Sequence, residues 1–354
     1  MVHQVKIGYS FWGFLGPGIT DTPDGGRSHR RPFLDGIRGA GHDLVLLQPD
    51  RDRHEAGDGE AGAYYQFDDA FPDLDVLFLE WRWPIPGRNT TDCATPGHTC
   101  DLHRQNQLID HYLHRLGVPT IIWDKDRRLS AEDELRHHRG VTVCEAALLP
   151  TPGATTLLFP LDDVLLAAAD PVELATRTRP YPLCYVGNQY DRDEMFDAYF
   201  APAAAHLPHQ VAGKWQNTRR WPHVKFRGRV PFEQVTRIHD QSLATVLLLP
   251  DRYAAAAQMT QRLFEAVLAG CLPLAPATIA RVADFVPEPL IVRTGQDVIT
   301  AAHDLYALAG STTHAELIAA CLAKLEPFRL SHQLQVMNTL LAAVSQPAGG
   351  RRRH

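Results

Sequence analysis

The chain has 354 residues, which favours two domains over one, and 45% of them are hydrophobic, enough for a sizeable core in each. A formal charge of -6 and a pI of about 6.3 exclude a general nucleic-acid coat protein, though not a local basic groove. No apolar run has the length of a membrane helix, and the N-terminus lacks the apolar core of a signal peptide, so a cytoplasmic location is expected.

In chain order, residues 5–9 read as a short strand. Gly13, Gly16 and Gly18 follow, with Pro17 among them. The spacing is wrong for a dinucleotide fingerprint, and Pro17 interrupts any entry to a helix. Glycine here suits a backbone that approaches a ligand or a facing domain, with an ordinary wide turn as the alternative. Ser28 starts a helix carrying Phe33, Leu34 and Ile37. A second strand is expected at 42–47 and a polar, Gly-rich loop at 50–63. The third strand, 74–79, is apolar almost throughout, as in a parallel sheet covered on both faces. It ends at Glu80, where open α/β sheets place chemistry. The alternative for Glu80 is a structural pair with Arg82 or a helix N-terminus.

Residues 87–101 form a polar insertion with Cys93, His98 and Cys100, and His103 lies just beyond. Four soft ligands so close could hold zinc, but the spacing matches no common finger. An ordinary substrate-facing loop is the expectation, and a local disulfide is a third possibility. Cys144, Cys184 and Cys271 sit in or beside apolar runs and read as buried small residues. A helix at 102–116 leads to a strand at 118–123, ending in Asp124, Lys125 and Asp126. Ser130 with Asp133 resembles a capping box. Another strand spans 141–147, and 151–159 carries a short apolar run.

Residues 161–180 read as a crossover. Pro171, Arg177, Arg179, Pro180 and Pro182 mark a stiff boundary. A second α/β series then opens with a strand at 183–186, Gly187-Asn188 and a helix at 191–200. Lys214, Trp215, Arg219, Arg220 and Trp221 share a loop, and 224–226 is a short strand flanked by Lys225 and Arg227. A helix at 232–239 precedes a buried strand at 242–249 and a helix at 254–270. Further strands are expected from 271 and at 289–292, with helices at 298–308 and 316–325. The amphipathic segment 330–344 could close against either domain, and the basic tail from 349 reads as frayed. The fold class is therefore α/β, with two Rossmann-like lobes facing across a cleft. The expected domains are 1–178 and 179–328, followed by a C-terminal helix and tail over 329–354.

Arg262 and Glu265 lie three apart on one helix, beside the ends of parallel strands. A guanidinium there can pair with diphosphate oxygens, and a carboxylate can accept from ribose hydroxyls. The alternative is a solvent-facing ion pair worth about 0–1 kcal/mol.

With Thr260, Arg262, Phe264, Glu265, Ala266, Gly270, Cys271, Leu272 and Pro273, preceded by 247–251, this stretch resembles the nucleotide-sugar glycosyltransferases of the GT-B fold. The CgeB-like, group-1-related branch is the nearest match, and Tyr185-Val186-Gly187-Asn188 fits it too. The resemblance implies a C-terminal lobe that binds the nucleotide diphosphate and an N-terminal lobe that holds the acceptor. It puts Arg262 at the diphosphate, Glu265 at the ribose, and Gly13 and Gly16 near the phosphates from the opposite side. The family's E-x7-E pattern is absent, since Ala257 and Pro273 flank Glu265 at that spacing. Stereochemistry is left open.

The implied reaction moves a sugar from a nucleoside diphosphate donor to a hydroxyl, with Arg262 stabilising the leaving diphosphate. Lys214 and Arg219 are the first of a cationic reserve, whose alternative is a solvated basic face. No paired-carboxylate metal motif accompanies them, so no metal or other cofactor is expected. If configuration inverts, Glu80, Asp124, Asp21 and His29 are the candidate bases. A retaining reaction needs none. The tryptophans could stack on sugar or base, or simply pack. A small molecule or glycan is favoured as acceptor over modified nucleic acid. A sugar-nucleotide epimerase or phosphorylase, or a non-catalytic two-lobe binding protein, are the other readings. Oligomeric state is not fixed by the chain.

Overall fold

The structure is a computed structural model that describes residues 4–16 and 27–345. It divides into two compact units, one formed by residues up to 160 together with 330 onward, the other by 161–329.

The first unit is built on a seven-stranded parallel sheet. Its strands are β1 (Lys6–Ser10), β2 (Asp43–Leu46), β3 (Gln66–Phe67), β4 (Val76–Glu80), β5 (Thr120–Asp124), β6 (Val141–Glu145) and β7 (Thr155–Thr156), in the order β3-β2-β1-β4-β5-β6-β7. The order reverses beside β1, which makes a topological switch point at its C-terminal end. β4 and β5 are buried at every position, as the run of apolar residues requires when helices cover both faces. Tyr9, Phe33, Phe78 and Trp123 pack ring against ring in this core.

Residues 50–63, expected as loop, contain two short helices, Arg51–Ala56 and Glu60–Tyr64. The first forms because Asp50 caps it, accepting from Arg53 N, and Gly57 ends it at φ 70°. Asp133 itself caps the helix Glu134–His137, while the Ser130 hydroxyl pairs with Glu132 instead. The helix Leu330–Ser345 packs on the helix Arg27–Gly39. Gly36 permits that approach, since a Cβ there would lie 2.8 Å from Leu334 Cδ1. Gln333 adds an acceptor for Leu158 N at 2.8 Å. The segment 330–345 therefore belongs to the first unit.

The second unit holds a five-stranded parallel sheet of β8 (Tyr181–Val186), β9 (His209–Ala212), β10 (Ser242–Val246), β11 (Leu272–Pro276) and β12 (Ile291–Val292), in the order β12-β11-β10-β8-β9. Its boundary falls at 160/161, earlier than the proline cluster suggested. The helix Pro171–Thr176 packs on the helix Thr312–Ala323, and Arg179 ties this segment down. The guanidinium donates to the carbonyls of Leu174, His239, Asp240, Ser242 and Ala269. Residues 224–226 form no strand and pair only through the isolated bridge of Phe226 with Val211.

The helix expected at 254–270 is broken in two, Asp251–Ala255 and Gln261–Leu268. Ala257 takes a left-handed conformation at φ 52°, and Thr260 is extended, so the backbone cannot run on as one helix. Among the described residues, no helix is long and apolar enough to cross a membrane.

Candidate functional site

The break at 256–260 brings a new helix N-terminus to the C-terminal edge of the second sheet and puts Arg262 in its first turn. The Thr260 side chain at its N-cap makes no capping hydrogen bond among the described residues. Arg262 Nε donates to the carbonyl of Val186, the last residue of β8. Gly187 is what lets it lie there, because a Cβ at that position would sit 2.6 Å from Arg262 Nε and 2.6 Å from Tyr185 Oη. The Tyr185 hydroxyl is buried and has no hydrogen-bond partner among the described residues. Beyond its bond to Val186, Arg262 has no other hydrogen bond among them, so its terminal nitrogens are uncommitted.

Glu265, one turn further along the helix, is half-buried, and its carboxylate accepts no hydrogen bond among the described residues. Burial pushes its pKa up, and the Arg262 charge opposes that shift. Burial likewise holds the neighbouring His239 neutral, with a pKa of about 4, and repulsion from Arg262 and Arg179 adds to it.

A second arginine enters this edge unannounced by the sequence. Arg192, in the loop after β8, is buried, and among the described residues its guanidinium bonds only to carbonyls: Leu248 at 3.1 Å, Tyr190 at 2.6 Å and Asn188 at 3.4 Å. Burial lowers its pKa, and repulsion from Arg262 contributes. Flanked by Asp191 and Asp193, it looks in the sequence like half of a surface ion pair. Only Gly187 and Asn188 beside it hint at a ligand turn. The loop around it is stitched closely, with Asn188 Oδ1 accepting from Lys214 N at 2.8 Å and Trp215 Nε1 donating to Gly187 O at 2.8 Å. Gly213, at φ 138°, has no room for a Cβ against Gly187 O.

The side chains of Lys214 and Arg219 are exposed, without a hydrogen bond among the described residues. Trp215 and Trp221 are packing residues, joined with Phe196 and Phe226 in one aromatic cluster.

In the first unit the candidates at the strand ends are engaged. Glu80 is buried, and its two oxygens accept from Tyr9 Oη at 2.8 Å, Arg30 Nε at 2.7 Å, Arg30 Nη2 at 2.6 Å and Lys125 Nζ at 2.6 Å. Four donors fill the four lone-pair positions of a carboxylate. Its ionic partners are thus Arg30 and Lys125, while Arg82 pairs with Asp101 at 3.0 Å.

Asp124 is fully buried and closes the turn after β5 by accepting from Arg128 N and Leu129 N, both at 2.9 Å. Burial raises its pKa to about 6, the two backbone bonds oppose that, and repulsion from Asp126 and Glu145 adds to it. That value would suit a base, but both oxygens face inward. His29 is buried in the core, its ring 4.7 Å from Phe159 and 5.4 Å from Trp123. Asp21 and Gly18 lie outside the described residues.

The first glycine turn is gripped from behind. Asp52, on the helix Arg51–Ala56, accepts from Leu15 N at 2.9 Å and Gly16 N at 2.7 Å. A Cβ on Gly16 would lie 2.5 Å from Asp58 Oδ2. Gly13 has φ 147°. Two carboxylates behind Gly16 are a poor setting for a phosphate there. The sequence reading missed Asp52 because it took 50–63 for loop.

No family model matches the chain, and no curated protein matches it in sequence. Solved structures match in fold. T4 phage BGT in complex with its UDP-glucose substrate aligns with a TM-score of 0.62 at 11% identity, over 96% of this chain and 100% of that one. An alpha-glucosyltransferase in complex with UDP-glucose and DNA containing an abasic site gives 0.61 at 11%, again over 96% and 100%. AviGT4, a glycosyltransferase involved in avilamycin A biosynthesis, gives 0.57 at 13%, over 96% and 98%. At such identities the likeness establishes the fold: two α/β lobes with parallel sheets, the GT-B architecture.

Proposed function

We propose that the chain is a nucleotide-sugar-dependent glycosyltransferase, moving a sugar from a nucleoside diphosphate donor to an acceptor hydroxyl. One observation carries this: Arg262 and Arg192 stand at the edge of β8 with no carboxylate hydrogen-bonded to either among the described residues. Beside a helix N-terminus whose N-cap Thr260 makes no capping hydrogen bond among the described residues, they suit a diphosphate. Arg262 stabilises the leaving group as the glycosidic bond opens. Glu265 accepts from the ribose hydroxyls, and the exposed Lys214 and Arg219 supply further positive charge. The donor is held without a metal in this reading. The resemblance to the CgeB-like, group-1-related branch stands on two sequence stretches, the one around Arg262 and Tyr185-Val186-Gly187-Asn188.

The first unit takes the acceptor. Of its candidate bases, Glu80 and Asp124 hold structure and His29 packs in the core, so the acceptor proton falls to Asp21 if the reaction inverts. Asp21→Asn should then abolish turnover and leave donor binding intact. Normal turnover in that variant points to a retaining reaction or another base.

UDP-glucose is the first donor to try, since fold neighbours were solved with it. The protein is mixed with a panel of nucleotide sugars, and nucleoside diphosphate release is measured with and without small-molecule, glycan and hydroxyl-bearing DNA acceptors. Release that depends on an acceptor supports transfer. An isomerised donor indicates an epimerase, and phosphate-dependent cleavage a phosphorylase. Tight binding without turnover indicates a binding protein.

A further inference from the structure

The insertion between β4 and the helix Asp101–Leu108 gathers four soft side chains in the pattern C-x4-H-x-C-x2-H. Cys93, His98 and Cys100 each place a ligand atom within 4.8 Å of the other two. His103 Nδ1 lies 3.6 Å from Cys93 Sγ. Cys100 and His103 are one turn apart at the start of the helix and so share a face, while Cys93 and His98 come from the loop.

The His98 imidazole is already oriented for coordination. His98 Nδ1 meets Thr91 Oγ1 at 3.0 Å, which leaves Nε2, buried and without a hydrogen-bond partner among the described residues. His103 Nδ1 faces the Cys93 thiol, and its Nε2 lies 3.3 Å from the Gln107 amide nitrogen; with Nδ1 on a metal Nε2 carries the proton, and turning that amide lets its oxygen accept it. An outer partner on one ring nitrogen fixes which other nitrogen can take a metal. The frame is braced as well. Thr99 N donates to Arg88 O at 2.8 Å, and buried Asp101 binds Arg82 and Arg88, each at 3.0 Å.

Bond lengths of about 2.3 Å to sulfur and about 2.0–2.1 Å to nitrogen give a tetrahedral zinc site S···N edges of about 3.6 Å and S···S edges of about 3.8 Å. The Cys93–His103 separation is already such an edge, and the edges among Cys93, His98 and Cys100, all within 4.8 Å, close with shifts of about 1 Å; His103 completes the set by swinging in from its contact with Cys93.

We propose that Cys93, His98, Cys100 and His103 form a structural zinc site that pins this polar insertion to the helix Asp101–Leu108. Zn²⁺ displaces one proton from each thiol, and the two thiolates cancel its charge while the imidazoles bind neutral. Thiolate with imidazole selects zinc over magnesium, calcium or manganese. Four protein ligands leave no open position, so the metal takes no part in sugar transfer, and this site stands or falls apart from the donor site.

The test uses the full chain without a histidine tag, purified without chelator. Elemental analysis should find one zinc per chain, and Cys93→Ser and Cys100→Ser should each lose it. Co²⁺ added to the reduced, metal-free protein should give thiolate charge-transfer and tetrahedral d–d absorption, a readout that depends on no variant folding. Thr91→Val keeps every ligand but frees His98, and should weaken the metal by about 10-fold or more. The proposal is overturned if Co²⁺ gives no such spectrum while the thiols are free. It is overturned equally if peptide mapping of protein prepared in air finds Cys93 joined to Cys100 and reduction restores no metal binding.

Discussion

Glu80 and Arg262 occupy corresponding places in their own units, at the C-terminal edge of a parallel sheet, yet their surroundings differ in kind. Around Glu80 every lone pair is taken, by a phenol, an arginine and a lysine, all buried. Around Arg262 one nitrogen is held by a strand-end carbonyl, and the rest of the guanidinium, the Glu265 carboxylate and the Tyr185 hydroxyl have no hydrogen-bond partner among the described residues. A charge at a strand end is thus not a site in itself. What marks a site is charge held in place by a few contacts with its remaining valences open, because those are what a ligand can satisfy without first breaking structure.

The largest expected effect tests the closed side of this contrast. Glu80→Gln leaves Arg30 and Lys125 buried around a neutral amide and should cost about 3–5 kcal/mol in denaturant unfolding. A variant that folds normally but turns over nothing would move Glu80 from scaffold to chemistry.

On the open side, Arg262→Ala should cut turnover by about 100-fold or more while changing stability by less than about 1 kcal/mol. Arg262→Lys should not restore it, since an ammonium cannot hold the Val186 carbonyl and reach a diphosphate with separate nitrogens. Retained turnover would close the donor site proposed here.

Asp124 gives a pH test of the closed side. Its folded pKa of about 6 lies above the ordinary aspartate value, so the proton binds more tightly to the folded chain. The resulting stability is complete below about pH 4 and is lost as pH rises through about 6, on the order of 3 kcal/mol in all. Asp124→Asn should flatten that slope in unfolding measured between those limits. An unchanged slope would show that another group carries it.

The smallest effect belongs to Glu265→Gln, which keeps an acceptor but loses the charge. It should raise the donor KM by about tenfold, with kcat nearly unchanged. A fall in kcat at constant KM would place Glu265 at the reacting sugar rather than at the ribose.

Much of the architecture was legible in the chain. Apolar runs bounded by Gly, Pro and Asp marked most of the strands but left β3 and β9 unmarked, because a parallel sheet covered on both faces demands continuous hydrophobicity only where its strands are long. Arg262 and Glu265 stood out because helical spacing puts them together whatever the fold. Tertiary structure alone decided the rest. The pairing of Glu80 with Arg30 and Lys125 joins residues 50 and 45 positions away, and no local pattern encodes such a partnership. The break at Ala257, which turns a mid-helix arginine into a first-turn one, depends on a left-handed residue that carries no glycine to announce it. Arg192 is a binding candidate only because packing buries it among carbonyls. Periodicity records which face of an element is buried. Which charges meet there, and which are left open, is settled only when distant segments pack.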